Sequence, residues 1–162
     1  MSDPDITAAL QEVFPGETLA FQPGKDFLPV KKEQLVKVAR FLKESPQASF
    51  DMLMDIVGID CLALGREPRF ELVYLLYSLK FKNYLKIKVP VSEDDLEVDS
   101  ICGVWKGANW FEREVYDLFG IRFRGHPNLR RILCHDEFVG HALRKDYDIK
   151  KGQWLSRPHD PR

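Results

Sequence analysis

Residues 70–89, FELVYLLYSLKFKNYLKIKV, decide the fold. Phe70 to Leu79 is almost wholly apolar and aromatic, which suits a central strand covered on both faces. Lys82-Asn83 supplies a turn. Tyr84 to Val89 then alternates, with Leu85, Ile87 and Val89 on one side and Lys86 and Lys88 on the other. On the N-terminal side, Gly65-Arg66-Glu67-Pro68 is a turn, and Phe50 to Leu62 mixes two periods. Its first part reads as helix, and Ile56 to Leu62 reads as strand. The three strands form an antiparallel meander. Lys32 to Lys43 gathers Leu35, Val36, Val38, Ala39, Phe41 and Leu42 on one helical face, which packs across that meander. Ser45-Pro46 ends the helix, because the residue before proline disfavours the helical region. The fold class is α+β: an antiparallel or mixed sheet meander with helices packed on it, followed by an extended, irregular C-terminal segment.

The flanks carry weaker signals. Asp5 to Phe14 reads as a short helix stopped by Pro15-Gly16, and Thr18–Phe21 and Phe27–Val30 read as short strands around Pro23-Gly24. Ser92 to Asp99 reads as an acidic, solvated connector, with the core complete by Ser100. The expected organisation is one domain over about residues 1–149, with its core at about 17–120. A partner-wrapping segment follows at about 105–149, and an irregular tail at about 150–162 holds Pro158 and Pro161.

The 162 residues are 44% hydrophobic and 30% charged, an ordinary globular balance. A net charge of -1 argues against a general polyanion binder. Charge is uneven, however. Residues 112–162 hold 11 Lys and Arg against 8 Asp and Glu, and the preceding residues hold 13 against 17, so the two ends suit different partners. No apolar run approaches the roughly 20 residues that span a bilayer. The N-terminus, MSDPDITAALQEVF, lacks the features of a signal or transit peptide, which predicts a cytoplasmic chain. Cys61, Cys102 and Cys134 are odd in number and widely spaced, without a CxxC pair. Buried reduced thiols are expected, and no self-contained zinc or iron–sulfur site.

Chemistry-bearing residues crowd into residues 110–146, WFEREVYDLFGIRFRGHPNLRRILCHDEFVGHALRKD. Trp110 to Phe119 reads as a helix with Asn109 as N-cap, Glu112 in a capping-box relation to it, and Gly120 as its left-handed stop. Arg113 and Asp117 are spaced to pair along one face. Glu114 and Asp117 are neighbours too, but nothing supplies the pocket or raised pKa that a catalytic carboxylate pair needs. After Gly120 the chain leaves regular structure, and His126-Pro127 forces an extended stretch. His126, His135, Asp136 and His141 are metal-ligand types without a metal-site spacing. Arg124, Arg130, Arg131, Arg144 and Lys145 could meet phosphates, yet acidic residues interleave them, unlike a dedicated nucleic-acid surface. The mixture of Arg, Trp, Tyr and Phe is what protein interfaces enrich.

The order of these residues resembles the signature of the 30-kDa, or C-type, subunit of respiratory complex I, the proton-pumping NADH:quinone oxidoreductase. The family pattern E-R-E, acidic-apolar-apolar, H-P-(D/E)-L-R-R stands here as Glu112-Arg113-Glu114, Asp117-Leu118-Phe119 and His126-Pro127-Asn128-Leu129-Arg130-Arg131-Ile132. Gly140-His141 and Arg144-Lys145-Asp146-Tyr147 resemble the later G-H-P-x-R-K-D-(Y/F). Asn128 replaces the usual acidic residue, and Ala142 the usual proline. The likeness extends upstream through Gly107-Ala108-Asn109-Trp110 and Trp105 to the Lys32–Lys43 helix.

The resemblance implies a hydrophilic-arm subunit, peripheral on the cytoplasmic side of the bacterial inner membrane and associated with the membrane only through the complex. It implies no catalytic, cofactor-binding or metal-binding residue in this chain, with FMN, iron–sulfur clusters and quinone held by partner subunits. The implied partners are other hydrophilic-arm subunits, chiefly the quinone-site 49-kDa, D-type subunit, which is related to hydrogenase large subunits, and the adjacent cluster-bearing B-type subunit, with no nucleic acid. An equivalent subunit of a membrane-bound energy-converting hydrogenase, or of an oxidoreductase with another donor, is the alternative. The signature residues Glu112, Arg113, Glu114, Asp117, Gly120, His126, Pro127, Leu129, Arg130, Arg131, Gly140, His141, Arg144, Lys145 and Asp146 are expected at the partner interface. Arg130 and Arg131 would pair with the neighbour's carboxylates.

Overall fold

The computed structural model describes residues 3–15, 19–20 and 26–153. Among these residues, three α-helices, α1 (Asp3–Val13), α2 (Leu35–Glu44) and α3 (Ala108–Phe119), accompany six strands. These are β1 (Leu28–Pro29), β2 (Met52–Asp60), β3 (Phe70–Ser78), β4 (Asn83–Val91), β5 (Glu97–Asp99) and β6 (Arg122–Arg124). The main sheet has the order β1-β4-β3-β2. β2, β3 and β4 form the antiparallel meander, and β1 adds a parallel edge to β4. β5 and β6 pair in parallel as a second, two-stranded sheet.

Strand periodicity explains the core. Phe70, Leu72, Tyr74 and Leu76 of β3 face the same way as Ile56 of β2 and as Leu85, Ile87, Val89 and Val91 of β4, and all are buried. Leu35, Val38, Ala39 and Leu42 of α2 join that core, as the spacing of the Lys32–Lys43 segment predicts. Phe14, at the end of α1, meets Phe41 of α2 edge to face at 6.2 Å. Gly58 of β2 lies directly beneath the Phe119 ring, so α3 crosses the sheet where one residue has no side chain.

Several expectations need correction. β2 is a strand from Met52 onward, with no helical first part, because β3 supplies a ladder partner along nearly its full length. β3 is buried on one face and half-buried on the other, since only one side of the sheet carries the core. The outer side exposes Met52, Val57 and Tyr84. The core is not complete at Ser100: Ile101, Val104, Trp105, Val115, Phe119, Ile121 and Phe123 are all buried. The acidic connector contains β5, and β6 forms before the chain turns irregular at Gly125. The Thr18–Phe21 strand and the tail from Trp154 lie outside the described residues, apart from Leu19 and Ala20, which are not in a strand.

Candidate functional site

The last four carbonyls of a helix lack partners within it. In α3 the irregular segment supplies them. Gly120, in the left-handed region at φ 79°, donates its N–H to Tyr116 O at 2.9 Å, as a glycine stop should. His141 Nδ1 lies 2.9 Å from Asp117 O, and Leu143 N donates to Leu118 O at 3.1 Å. Arg144 Nε donates to Phe119 O at 2.6 Å. Burial, together with the nearby Arg144 and Arg131, pushes the His141 pKa down, so the ring is neutral and offers Nδ1–H to the helix end.

Asp117 binds the same segment from its side chain. It is fully buried, and Oδ2 accepts the N–H groups of Ile132, Leu133 and Cys134 at 3.0, 2.8 and 2.8 Å. Oδ1 takes Arg131 Nη1 at 2.6 Å, and Arg131 Nη2 continues to Gly140 O at 2.9 Å. Burial alone would raise this carboxyl's pKa, but the three N–H donors and the guanidinium hold it below the ordinary aspartate value. Arg113, one turn earlier, donates Nε to Arg130 O at 3.2 Å and Nη2 to Arg131 O at 3.0 Å. The expected Arg113–Asp117 pair is therefore replaced: the carboxylate takes Arg131, and Arg113 takes backbone.

A second anchor joins this strap to the sheet. Arg69 reaches Asp60 Oδ2 at 2.9 Å, Asp146 Oδ1 at 2.9 Å and Glu93 Oε1 at 2.5 Å. Asp60 also accepts the N–H of Lys145 at 2.8 Å and of Leu62 at 2.9 Å. Against the upward push of burial, these donors bring the Asp60 carboxyl down to about 2. Hydrogen bonds to Asp60 and Asp146 raise the Arg69 pKa. Sequence reading misses Asp60 and Arg69 as site residues. Their one visible signal is opposite charge at the two ends of the β2–β3 connection.

Glu112 forms a third buried group. Oε1 accepts Ile101 N–H at 2.7 Å and Oε2 accepts Ser100 Oγ at 2.6 Å, with Cys102 Sγ at 3.4 Å. It secures the loop that leads into α3 and caps nothing at Asn109; the helix already starts at Ala108, with no side-chain cap. Burial pushes Glu112 up and the Cys102 thiol up to about 11. Cys102, Glu112 and His126 bring ligand-type atoms within 4.8 Å of one another, the one such trio among the described residues. Both His126 nitrogens are engaged, Nε2 with Asn109 O at 3.1 Å and Nδ1 with Asn128 N–H at 2.9 Å. Cys102 and Glu112 are hydrogen-bonded to each other, whereas the His126 ring is turned to the backbone of Asn109 and Asn128. His135, Asp136 and His141 do not join the trio.

The signature divides into inward and outward residues. Glu112, Arg113 and Asp117 are buried, and Gly120, His126, Leu129, Arg131, Gly140, His141 and Arg144 are half-buried. Glu114, Pro127, Arg130, Lys145 and Asp146 are exposed, together with Trp110, Leu133, Val139 and Leu143. Glu114 and Asp117 face different surroundings and form no carboxylate pair. Arg131 is committed to Asp117, so it is not free for a neighbour's carboxylate.

Comparison with known proteins gives a consistent picture. The family described as "Respiratory-chain NADH dehydrogenase, 30 Kd subunit" matches residues 28–153. The C-type subunit of an NADH-quinone oxidoreductase from Geotalea uraniireducens is 47% identical over 127 residues, 78% of this chain and 75% of that one. A C/D-type subunit of the NADH-quinone oxidoreductase from Bdellovibrio bacteriovorus is 48% identical over 130 residues, 80% of this chain and 22% of that longer one. A solved structure of the trypsin-resistant fragment (1–134) of Nqo5 aligns with a TM-score of 0.57 and 35% identity, covering 64% of this chain and 81% of that one. A chain of the archaeal membrane-bound sulfane sulfur reductase shares the fold with a TM-score of 0.74 at 22% identity, covering 90% of this chain and 85% of that one.

Proposed function

The chain belongs to the 30-kDa subunit family of respiratory-chain NADH dehydrogenases, and from that membership we propose that it is a non-catalytic subunit of the hydrophilic arm of a proton-translocating NADH:quinone oxidoreductase. It supports assembly by packing on the D-type, quinone-site subunit and on the adjacent B-type subunit. FMN, iron–sulfur clusters and quinone belong to other subunits of the complex, and the chain sits peripherally on the cytoplasmic side through the complex. Among the described residues, no helix is long and apolar enough to cross a membrane.

The observation that carries the reading is how the signature is used. Its buried acids and bases hold a strap, residues 125–153, against α3 and the sheet. Asp117 has four donors, His141 caps a helix end, and Glu112 is tied to a loop. A group so committed is poorly suited to move protons, and well suited to present a rigid surface. The C/D-type relative supports the D-type partner. A region like this one shares a polypeptide there with a part named D, which keeps the two at high effective concentration.

A tagged copy should be recovered from gently solubilised native membranes. Co-purification with iron–sulfur proteins and NADH:quinone activity is the expected result. Recovery with a nickel hydrogenase, or with another donor module, would favour the related complexes instead. Recovery without any partner would defeat the proposal.

A further inference from the structure

The strap and the first turns of α3 leave two unusual side chains uncovered. Trp110 is 64% exposed, and Arg113 lies over its ring at 5.5 Å. Arg130, whose carbonyl Arg113 holds, is exposed. None of the ion pairs among the described residues uses Arg113 or Arg130. The Arg130 charge adds to burial in lowering the Arg113 pKa, and neither guanidinium is in an ion pair with a described residue. Leu133 and Leu143, on backbone that the C-terminal half of α3 holds, add exposed aliphatic surface.

We propose that Trp110 of α3 and Arg130 of the strap are a docking pair, taking a protein partner that brings a carboxylate to Arg130 beside an apolar recess for the Trp110 indole. The inference rests on the proposed subunit role and deepens it by naming the contact chemistry. Charge complementarity selects the occupant. A carboxylate beside Arg130 relieves the repulsion with Arg113 and forms a charge-assisted, bidentate pair. An exposed indole beside an arginine is the composition of a binding hot spot. The adjacent arginine, Arg131, is instead bonded to Asp117. The family signature is thereby mostly frame, and the docking face lies on the residues that point away from that frame.

The test uses the full chain in its native complex. Tagged wild type, Arg130→Glu, Arg130→Lys, Trp110→Ala and, as a control in the turn after β3, Leu79→Ser are expressed in place of the native copy. Each is checked for an unchanged Tm as an isolated chain. The fraction retained on NADH:quinone-active complex is then measured at rising salt. Arg130→Glu and Trp110→Ala should each lose about tenfold or more in retention. Arg130→Lys should keep part of the binding with steeper salt dependence, and Leu79→Ser should match wild type. Folded Arg130→Glu and Trp110→Ala chains that stay on the complex like wild type overturn the docking pair while leaving the subunit role intact. A wild-type chain absent from the complex overturns the subunit role itself.

Discussion

Asp117 and Arg131 meet at 2.6 Å between Oδ1 and Nη1, and the remaining Asp117 oxygen holds the three backbone N–H groups that follow Arg131. One buried carboxylate therefore fixes both a side chain and a turn of backbone. The segment from Ile132 to Cys134 has no helix or sheet to satisfy its N–H groups, and buried donors without partners are costly. Asp117 takes that place, and so lets a segment with no ladder of its own follow one path.

Replacing Asp117 with alanine removes four acceptor contacts and strands Arg131 in a half-buried site. Breaking a buried pair from one side costs about 3–5 kcal/mol. The loss should fall on the strap, because the meander has its own core. Limited proteolysis should cut Asp117→Ala between residues 125 and 146 well before the sheet. An equally resistant strap would mean that other contacts carry it.

The second anchor predicts a pH response. Asp60 is held at about 2, and Asp117 and Asp146 lie below the ordinary aspartate value. A depressed folded pKa gives stability that is present above the unfolded value of about 3.9 and is lost as pH falls through the folded one. Acid should thus loosen the strap between about pH 4 and about pH 2. The protection of the Lys145 N–H, bonded to Asp60, against hydrogen exchange should fall across that window relative to an unstructured amide at the same pH. Protection that stays constant through it would contradict the assignment.

Much of the fold is legible in the sequence because it rests on local periodicity. β4 alternates cleanly, and α2 shows its apolar face through Leu35, Val38, Ala39 and Leu42. The start of β2 misleads because Met52, Leu53 and Ile56 fit a helix equally well, and only pairing with β3 decides. The signature is visible as a cluster, but its internal wiring is not. Arg131 finds Asp117 fourteen residues away, and Lys145 finds Asp60 eighty-five residues away. No spacing rule reaches that far, so the helix-neighbour rule wrongly pairs Asp117 with Arg113.

Glu112 predicts the opposite pH sign. Its burial raises the folded pKa above the ordinary glutamate value, so folding takes up protons at this carboxyl rather than releasing them. That contribution is complete below the ordinary value and fades as pH rises through the folded one. Glu112→Gln keeps an acceptor for Ile101 N–H and turns an amide N–H toward Ser100 Oγ, which then accepts instead of donating. It should flatten the fall in Tm with rising pH, whereas Glu112→Ala should cost about 1–3 kcal/mol for the buried donors left unpaired. A glutamine variant with the wild-type pH profile would place the titration elsewhere.

Gly120 tests the coupling of helix end to strap. At φ 79° a side chain is strained, and a Cβ there would stand 2.5 Å from His141 Nε2 and 2.7 Å from Arg144 Nη2. Gly120→Ala should push both caps off the α3 carbonyls, loosening the strap by more than the roughly 1 kcal/mol of left-handed strain alone. Pairing it with His141→Ala should recover part of the loss. Strictly additive effects of the two changes would show that the ring and the glycine do not interact.

Gly58 tests how α3 sits on the sheet. A Cβ at this position would lie 2.6 Å from Phe119 Cδ2 and 2.8 Å from Cε2, closer than atoms can pack. The backbone of β2 is fixed by its ladder with β3, so the ring and the end of α3 must move instead. Overpacking of this kind costs about 1–3 kcal/mol. The displacement also reaches the Phe119 carbonyl that Arg144 holds, so strap and helix should loosen together. Gly58→Ala should lower the Tm and raise protease sensitivity after residue 125, and Phe119→Leu in the same chain should restore much of both by vacating the space. A Gly58→Ala chain as stable as wild type would mean that α3 rides higher on the sheet than this contact requires.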